Sequence, residues 1–245
     1  MGDHALAALL ARIPTADLAA AAAAQRRLDQ LTKPQGSLGA LEPLLVRLAG
    51  ATGQATPRFD APAVLIAAAD HGVVAEGVSP YPQAVTGQMV LNFLHGGAAI
   101  NALAANAGAR VIVADAGIAS DIPDHPGLLR SAIRRGSANL LREPAMRRAE
   151  AEAMLLAGAA LLAAEAERGL DLLALGEMGI GNSTAAACLT CVLAAITPDQ
   201  ATGRGTGLDD HGLAHKRAVV AAALARANAS AADPLGALAE LGGLE

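Results

Sequence analysis

Three short apolar runs, each ending in a carboxylate, constrain this chain more than any other feature: AVLIAAAD ending at Asp70, RVIVAD ending at Asp115 and DLLALGE ending at Glu177. Brief runs this apolar suit strands covered on both faces. Stretches of helical periodicity separate them, at Gln83 to Asn106, Pro144 to Arg168 and Asn182 to Ala195. Parallel strands need long crossover connections, so this alternation predicts an α/β fold: a doubly wound, Rossmann-like parallel sheet with flanking helices. Ligands of such sheets sit beyond the carboxyl ends of the strands, so Asp70, Asp115 and Glu177 are expected to face one crevice. A carboxylate there has a plainer use in capping the next helix, but three together weight the reading toward a site.

The first sixty residues read differently. Helical spacing covers Ala5 to Ile13, Ala16 to Leu31 and Ser37 to Ala49, the last with Ser37 as N-cap and Leu38, Leu41, Leu45 and Leu48 on one face. Between them LTKPQGSLG carries Pro34 and Gly36, which forbid a continuous helix. The expected organisation is a small helical segment at residues 1–60 and an α/β domain at residues 61–245. A further helix spans His211 to Asn228, after which the chain runs to Glu245. Only three strands are legible where such a sheet usually has more, so the sheet is expected to be unfinished at its C-terminal side.

Composition narrows the function. With 53% hydrophobic residues in 245, the chain has ample material for a core. Its net charge is −5 and its 18 Lys and Arg are scattered, which gives no footprint for nucleic acid or an anionic membrane and favours a small-molecule partner. The start lacks a signal-peptide pattern, and the longest uncharged apolar stretch, Ser183 to Ile196, is too short to span a bilayer, so a cytoplasmic protein is expected. Cys188 and Cys191 have CxxC spacing but lie inside an apolar helical run without a second pair, and read as packing residues. His211 and His215 lack a third ligand, so no metal is expected.

The chemistry is carried by two glycine clusters and a loop. GEMGIGNST, Gly176 to Thr184, lies between a strand and a helix, where turning glycines, helix amides and the Ser183 and Thr184 hydroxyls suit an anion. Its spacing imitates a P-loop, but Asn182 stands where that loop needs Lys, which excludes a nucleoside triphosphatase and leaves a monophosphate. TGRGTGLDD, Thr202 to Asp210, precedes a helix holding Lys216; Arg204, Thr206 and Lys216 make a second set of phosphate donors. Neither cluster is G-x-G-x-x-G, which argues against a dinucleotide enzyme. The third segment, Asp70 to Ala104, begins as a Gly- and Pro-rich loop holding Tyr81, the only tyrosine, as a platform for a flat heterocycle.

LTKPQGSLGALE, DHGVVAEGVSPYPQAVTGQMV, GEMGIGNST and GRGTGLDD, in that order, resemble the nicotinate-nucleotide–dimethylbenzimidazole phosphoribosyltransferases of cobalamin lower-ligand synthesis, from about Arg26 to Glu245. The resemblance implies transfer of ribose phosphate from nicotinate mononucleotide to 5,6-dimethylbenzimidazole with inversion at the ribose. It also implies a homodimer and no metal or cofactor. It places Glu177 beside the ribose and nicotinate as the catalytic carboxylate. Gly176, Gly179, Gly181, Asn182, Ser183 and Thr184 go to the phosphate pocket, joined by Gly203, Arg204, Gly205, Thr206 and Lys216. Ser79, Pro80 and Gln88 go to the benzimidazole pocket, expected to be separate from the phosphate loops. The family's general base is a glutamate in a C-terminal stretch that would follow Glu245, so a chain ending at Glu245 is expected to be weak in turnover, the alternative being a silent nucleotide-binding fragment or sensor.

Overall fold

The computed structural model describes residues 2–245, with side chains from residue 5 onward. It divides into two compact units, His4–Asp60 and Ala61–Glu245.

The first unit is helical, with α1 at Gly2–Leu10, α2 at Leu18–Gln30 and α3 at Leu41–Thr52. Asp17 starts α2 by accepting from the amides of Ala19 and Ala20, each at 2.9 Å, and its own amide donates to Gly50 of α3. Ala20, Ala24 and Leu28 form the buried stripe of α2, and small residues at Ala21 and Gly50 let the two helices approach closely. Helix α3 begins later than Ser37. Gly36 and Gly39 both take left-handed conformations, so residues 37–40 form turns and Ala40 is the N-cap. The buried Glu42 carboxylate holds those turns through Lys33 Nζ at 2.8 Å and the Leu38 amide at 3.1 Å, and both bonds keep its pKa below the usual carboxylate range.

The second unit is a wholly parallel four-stranded sheet in the order β3-β2-β1-β4, formed by β1 (Pro62–Ala69), β2 (Arg110–Gly117), β3 (Leu128–Arg130) and β4 (Leu172–Met178). Central β1 obeys the two-residue strand period. Val64, Ile66 and Ala68 enter one core with Val90, Phe93 and Val113, while Ala67 and Ala69 enter the other with Cys188, Val220 and Leu241. The sheet therefore has helices on both faces. Helices α4 (Val85–Leu94) and α5 (Ala99–Asn106) cover one; α6 (Arg148–Glu167), α7 (Asn182–Ala194), α9 (Asp210–Arg226) and α10 (Pro234–Leu241) supply the other. A single turn, α8 at Pro198–Ala201, joins α7 to the second glycine cluster. Cys188 and Cys191 are buried free thiols of that second core, and burial, with Cys191 adding to it, pushes Cys188 up to about 12.

The expected helix from Gln83 to Asn106 is two. Gly96 turns left-handed after α4, and Asn101 of α5 donates back to the Phe93 carbonyl at 3.0 Å, fixing the break. The short β3 extends the sheet past β2, and β4 is the opposite edge, with Leu175 largely exposed. No helix among the described residues is long and apolar enough to cross a membrane.

Candidate active site

The three strand-end carboxylates do not share one crevice. Asp115 Oδ1 accepts from the amides of Gly117 and Ile118 at 3.0 and 2.9 Å, and its Oδ2 meets Arg130 at 3.1 Å. Its acceptors therefore serve its own turn and the neighbouring strand. Asp70, also buried, accepts from the Ala119 amide at 2.7 Å, while its other oxygen has no partner among the described residues. Asp115 lines a separate cavity of about 360 Å³, and Glu177 opens onto another. Asn182, Ser183, Leu189, Leu238 and Glu245 join it around about 320 Å³.

Above this cavity the two glycine clusters meet. Ser183 stands in the first turn of α7, and Lys216, on α9, is 1% exposed and donates from Nζ to Ser183 Oγ at 2.8 Å. Gly205, left-handed in the second cluster, faces the same point: a Cβ built there would lie 3.0 Å from both Lys216 Nζ and Ser183 Oγ. No carboxylate pairs with Lys216 among the described residues. Burial pushes its pKa down, the mark of a cation short of a counter-charge. An anion is the partner that such a site lacks.

The remaining residues sort by geometry. Gly176 is not in the loop; it is a mid-strand residue of β4 opposite Ile66 of β1, where a side chain would make ordinary contacts at 3.6 Å. Gly179 is the close-approach glycine, since a Cβ there would come within 2.3 Å of the Ala69 carbonyl. Gly181 takes φ 94° and caps α7. The amides of Asn182 and Thr184 donate to the carbonyls of Gly179 and Gly181, so in this state they close turns, and Lys216 with Ser183 provides the donors the sequence reading gave to the amides. The Thr184 and Thr202 hydroxyls are buried without a protein partner.

Gly203 is exposed with open space around it, and Arg204 closes its own loop by binding the Leu208 carbonyl at 2.9 Å and the Asp210 carboxylate. Thr206 Oγ1 lies 3.1 Å from Ser79 Oγ, so the loop assigned to the base touches a loop assigned to the phosphate. Pro80 and Tyr81 are exposed beside it, as is Gln88 on α4.

Sequence reasoning missed three residues. Thr86, fully buried on α4, accepts from the Ile180 amide at 3.1 Å and so fixes the first glycine loop to the helix that carries Gln88. His71, fully buried after β1, lies under Gly179 and Gly181 with Nε2 3.0 Å from Glu245 Oε1. Thr86 sits inside the quoted DHG segment and His71 in its first triplet, so both were within reach. Glu245, distant in sequence, gave no sign of its place.

A larger cleft of about 610 Å³ lies elsewhere, lined by Arg134, Arg147, Arg148, Asp233 and Glu240. Its three arginines pair with Glu150 and Asp233, so it offers no unmatched cation to an anionic ligand. No group of three or more His, Cys, Asp or Glu suited to a metal occurs among the described residues, and His215 binds the Glu76 carbonyl instead.

Fold and site together define an α/β protein that receives a small phosphorylated ligand at the carboxyl end of its parallel sheet. A family model described as phosphoribosyltransferase matches residues 13–245. The chain belongs to the nicotinate-nucleotide–dimethylbenzimidazole phosphoribosyltransferase family. It is 54% identical over 249 aligned residues to the protein of that name from Deinococcus radiodurans, covering 99% of this chain and 68% of the relative. Its likeness to the protein of that name from Roseiflexus sp. is 51% over 240 residues, covering 98% and 68%. The crystal structure of CobT from Thermus thermophilus superposes with TM-score 0.87 at 52% identity, covering 92% of this chain and 68% of that one.

Proposed function

We propose that the chain moves the phosphoribosyl group of nicotinate mononucleotide onto 5,6-dimethylbenzimidazole, giving α-ribazole 5'-phosphate and nicotinate. The observation that carries this is the buried Lys216 ammonium, 2.8 Å from Ser183 and unmatched by a carboxylate, at the meeting point of both glycine loops beside the Glu177 cavity. Such a cradle suits a monophosphate, and the carboxylate beyond it suits a cation.

The chemistry needs both ends. Nicotinate leaves from a quaternised ring nitrogen and so requires no protonation. The ribose gains positive charge as the bond breaks, and the Glu177 carboxylate facing it contributes roughly 3 kcal/mol in a water-poor site. Attack by the unprotonated benzimidazole nitrogen makes the new bond with inversion, and the proton on the second nitrogen leaves afterwards to a base. Gln88, with Ser79 and Pro80, receives the base. Nothing observed favours the silent sensor. The same family reading supports a homodimer and a cytoplasmic location; sedimentation at two concentrations tests the former.

The test is nicotinate release with both substrates present. Glu177→Gln is expected to lower kcat/KM about a hundredfold, the scale of one lost electrostatic partner. Release that is independent of dimethylbenzimidazole, or unchanged in this variant, would reject the assignment.

A further inference from the structure

Glu245 follows α10, and its side chain is only 13% exposed. It shares the cavity with Glu177 and lies against an imidazole with no access to water. The 3.0 Å contact from His71 Nε2 to Glu245 Oε1 is short enough for charge pairing, although the carboxylate lies off the direction of a ring N–H bond. Backbone encloses the pair. A Cβ at Gly243 would come within 2.5 Å of His71 Cε1 and 2.2 Å of Glu245 Oε2, and one at Gly179 within 3.0 Å of His71 Nε2. Only glycines allow this approach, so the histidine and the carboxylate have little room to turn elsewhere.

We propose that Glu245 is the second carboxylate of this pocket, kept turned inward by His71 as its positioning residue so that its charge faces Glu177. The proposal rests on reading the Glu177 cavity as the end that receives the ribosyl cation. The ionisable groups around it come from four elements. Glu177 is on β4, His71 follows β1, Glu245 follows α10, and Lys216 on α9 reaches the cavity's Ser183. The α7 wall adds only Asn182, Ser183, Ala185, Ala186 and Leu189, none of them ionisable.

Two carboxylates facing one small space do not both ionise freely, and the second proton is held at higher pH. The direction at Glu177 agrees: burial raises its pKa, the Glu245 charge raises it further, and His71 opposes them. A second carboxylate held this way supplies negative charge beside the developing ribosyl cation.

The test titrates the carboxyl carbons of glutamate-labelled protein by ¹³C NMR without ligand, the Glu177 signal being the one lost in Glu177→Gln. Glu245→Gln is expected to lower the Glu177 midpoint by at least about half a pH unit, because a neighbouring negative charge is gone. His71→Asn is expected to lower it too, because Glu245 is then free to turn away from Glu177. An unmoved or raised midpoint in Glu245→Gln overturns the proposal, and a raised midpoint in a folded His71→Asn overturns the positioning role of His71. His71 is fully buried and its variant need not fold; where it does not, Glu245→Gln alone decides. The pocket's assignment is read separately: if the midpoint moves but mononucleotide affinity does not follow Glu177 ionisation, the pairing of Glu245 with Glu177 stands and the substrate reading fails.

Discussion

The hydroxyls of Ser79 and Thr206 lie 3.1 Å apart, joining segments 127 residues distant in sequence. One belongs to the loop assigned to the base and the other to a loop assigned to the phosphate, so on the proposed assignment occupancy of one subsite is expected to be felt by the other. Ser79→Ala is therefore expected to weaken both nicotinate mononucleotide and dimethylbenzimidazole, whereas Gln88→Ala, altering an exposed α4 side chain, is expected to weaken the base alone. A double-mutant cycle of Ser79→Ala and Thr206→Val read by calorimetry should give a coupling of about 0.5–1.5 kcal/mol, the worth of one hydrogen bond. Additive losses would show that the contact is not used when ligand is bound.

Lys216 should set function against stability. Its burial lowers its pKa, so the fold disfavours the charged form. That penalty is fully present below the folded pKa and fades as pH rises toward the unfolded value near 10.5. Lys216→Met is expected to raise the melting temperature of the ligand-free protein at pH 7, with the gain shrinking as pH rises through the lowered pKa toward 10.5. It should also weaken mononucleotide binding about ten- to hundredfold, the loss of one charge-assisted bond. Nicotinic acid riboside, lacking the phosphate, should bind at least about tenfold more weakly than the mononucleotide to the parent protein and alike to both proteins.

The glycines of the two clusters have different duties, and alanine substitution separates them. Gly176→Ala and Gly203→Ala meet ordinary contacts or open space and should change stability by no more than about 0.5 kcal/mol. Gly205→Ala adopts a left-handed conformation at a cost of roughly 1 kcal/mol and presses on Lys216 Nζ, so it should also reduce phosphate affinity. Gly179→Ala collides with the backbone at Ala69 and should be the most damaging of the four. Urea denaturation ranks them; a tolerant Gly179 would mean the loop is free to lift.

What the sequence disclosed follows from the range of the interactions. The strands β1, β2 and β4 were legible because local apolar runs report burial on both faces, and the convergence of GEMGIGNST and GRGTG was legible because glycines mark close approach. Three-residue β3 has too little periodicity to be read and exists because β2 offers it an edge. Gly176 belongs both to the apolar run and to the glycine cluster in the sequence, and only its pairing with Ile66 places it within β4. Asp115 looked like a site residue until Arg130 was seen beside it, and His71 with Glu245 are 174 positions apart, joined only by the packing of α10 against the second face.

Asp115 accordingly belongs to stability. Its carboxylate is filled by two amides and Arg130, so Asp115→Ala should cost about 1–3 kcal/mol by leaving buried donors unmatched. Mononucleotide affinity at a temperature where the variant is folded should match that of the parent. A specific loss of affinity would return Asp115 to the site.

The last expectation concerns protons. Burial and the facing Glu245 hold Glu177 above the ordinary carboxylate range, so part of the protein carries a proton there in mildly acidic solution. The quaternised ring nitrogen of the mononucleotide favours the ionised form, which moves the pKa back down on binding. Ligand binding must therefore expel protons in a window from the ordinary carboxylate value up to the raised one, and above that window the group is already ionised and nothing is released. Calorimetric titrations at about pH 5, run in buffers of different ionisation enthalpy, should show fractional proton release in the parent and a smaller or absent release in Glu177→Gln. Affinity in the parent should rise with pH across the same window and level off above it. Proton uptake instead of release would mean that Glu177 gains a proton on binding rather than losing one, and that it does not face the cation.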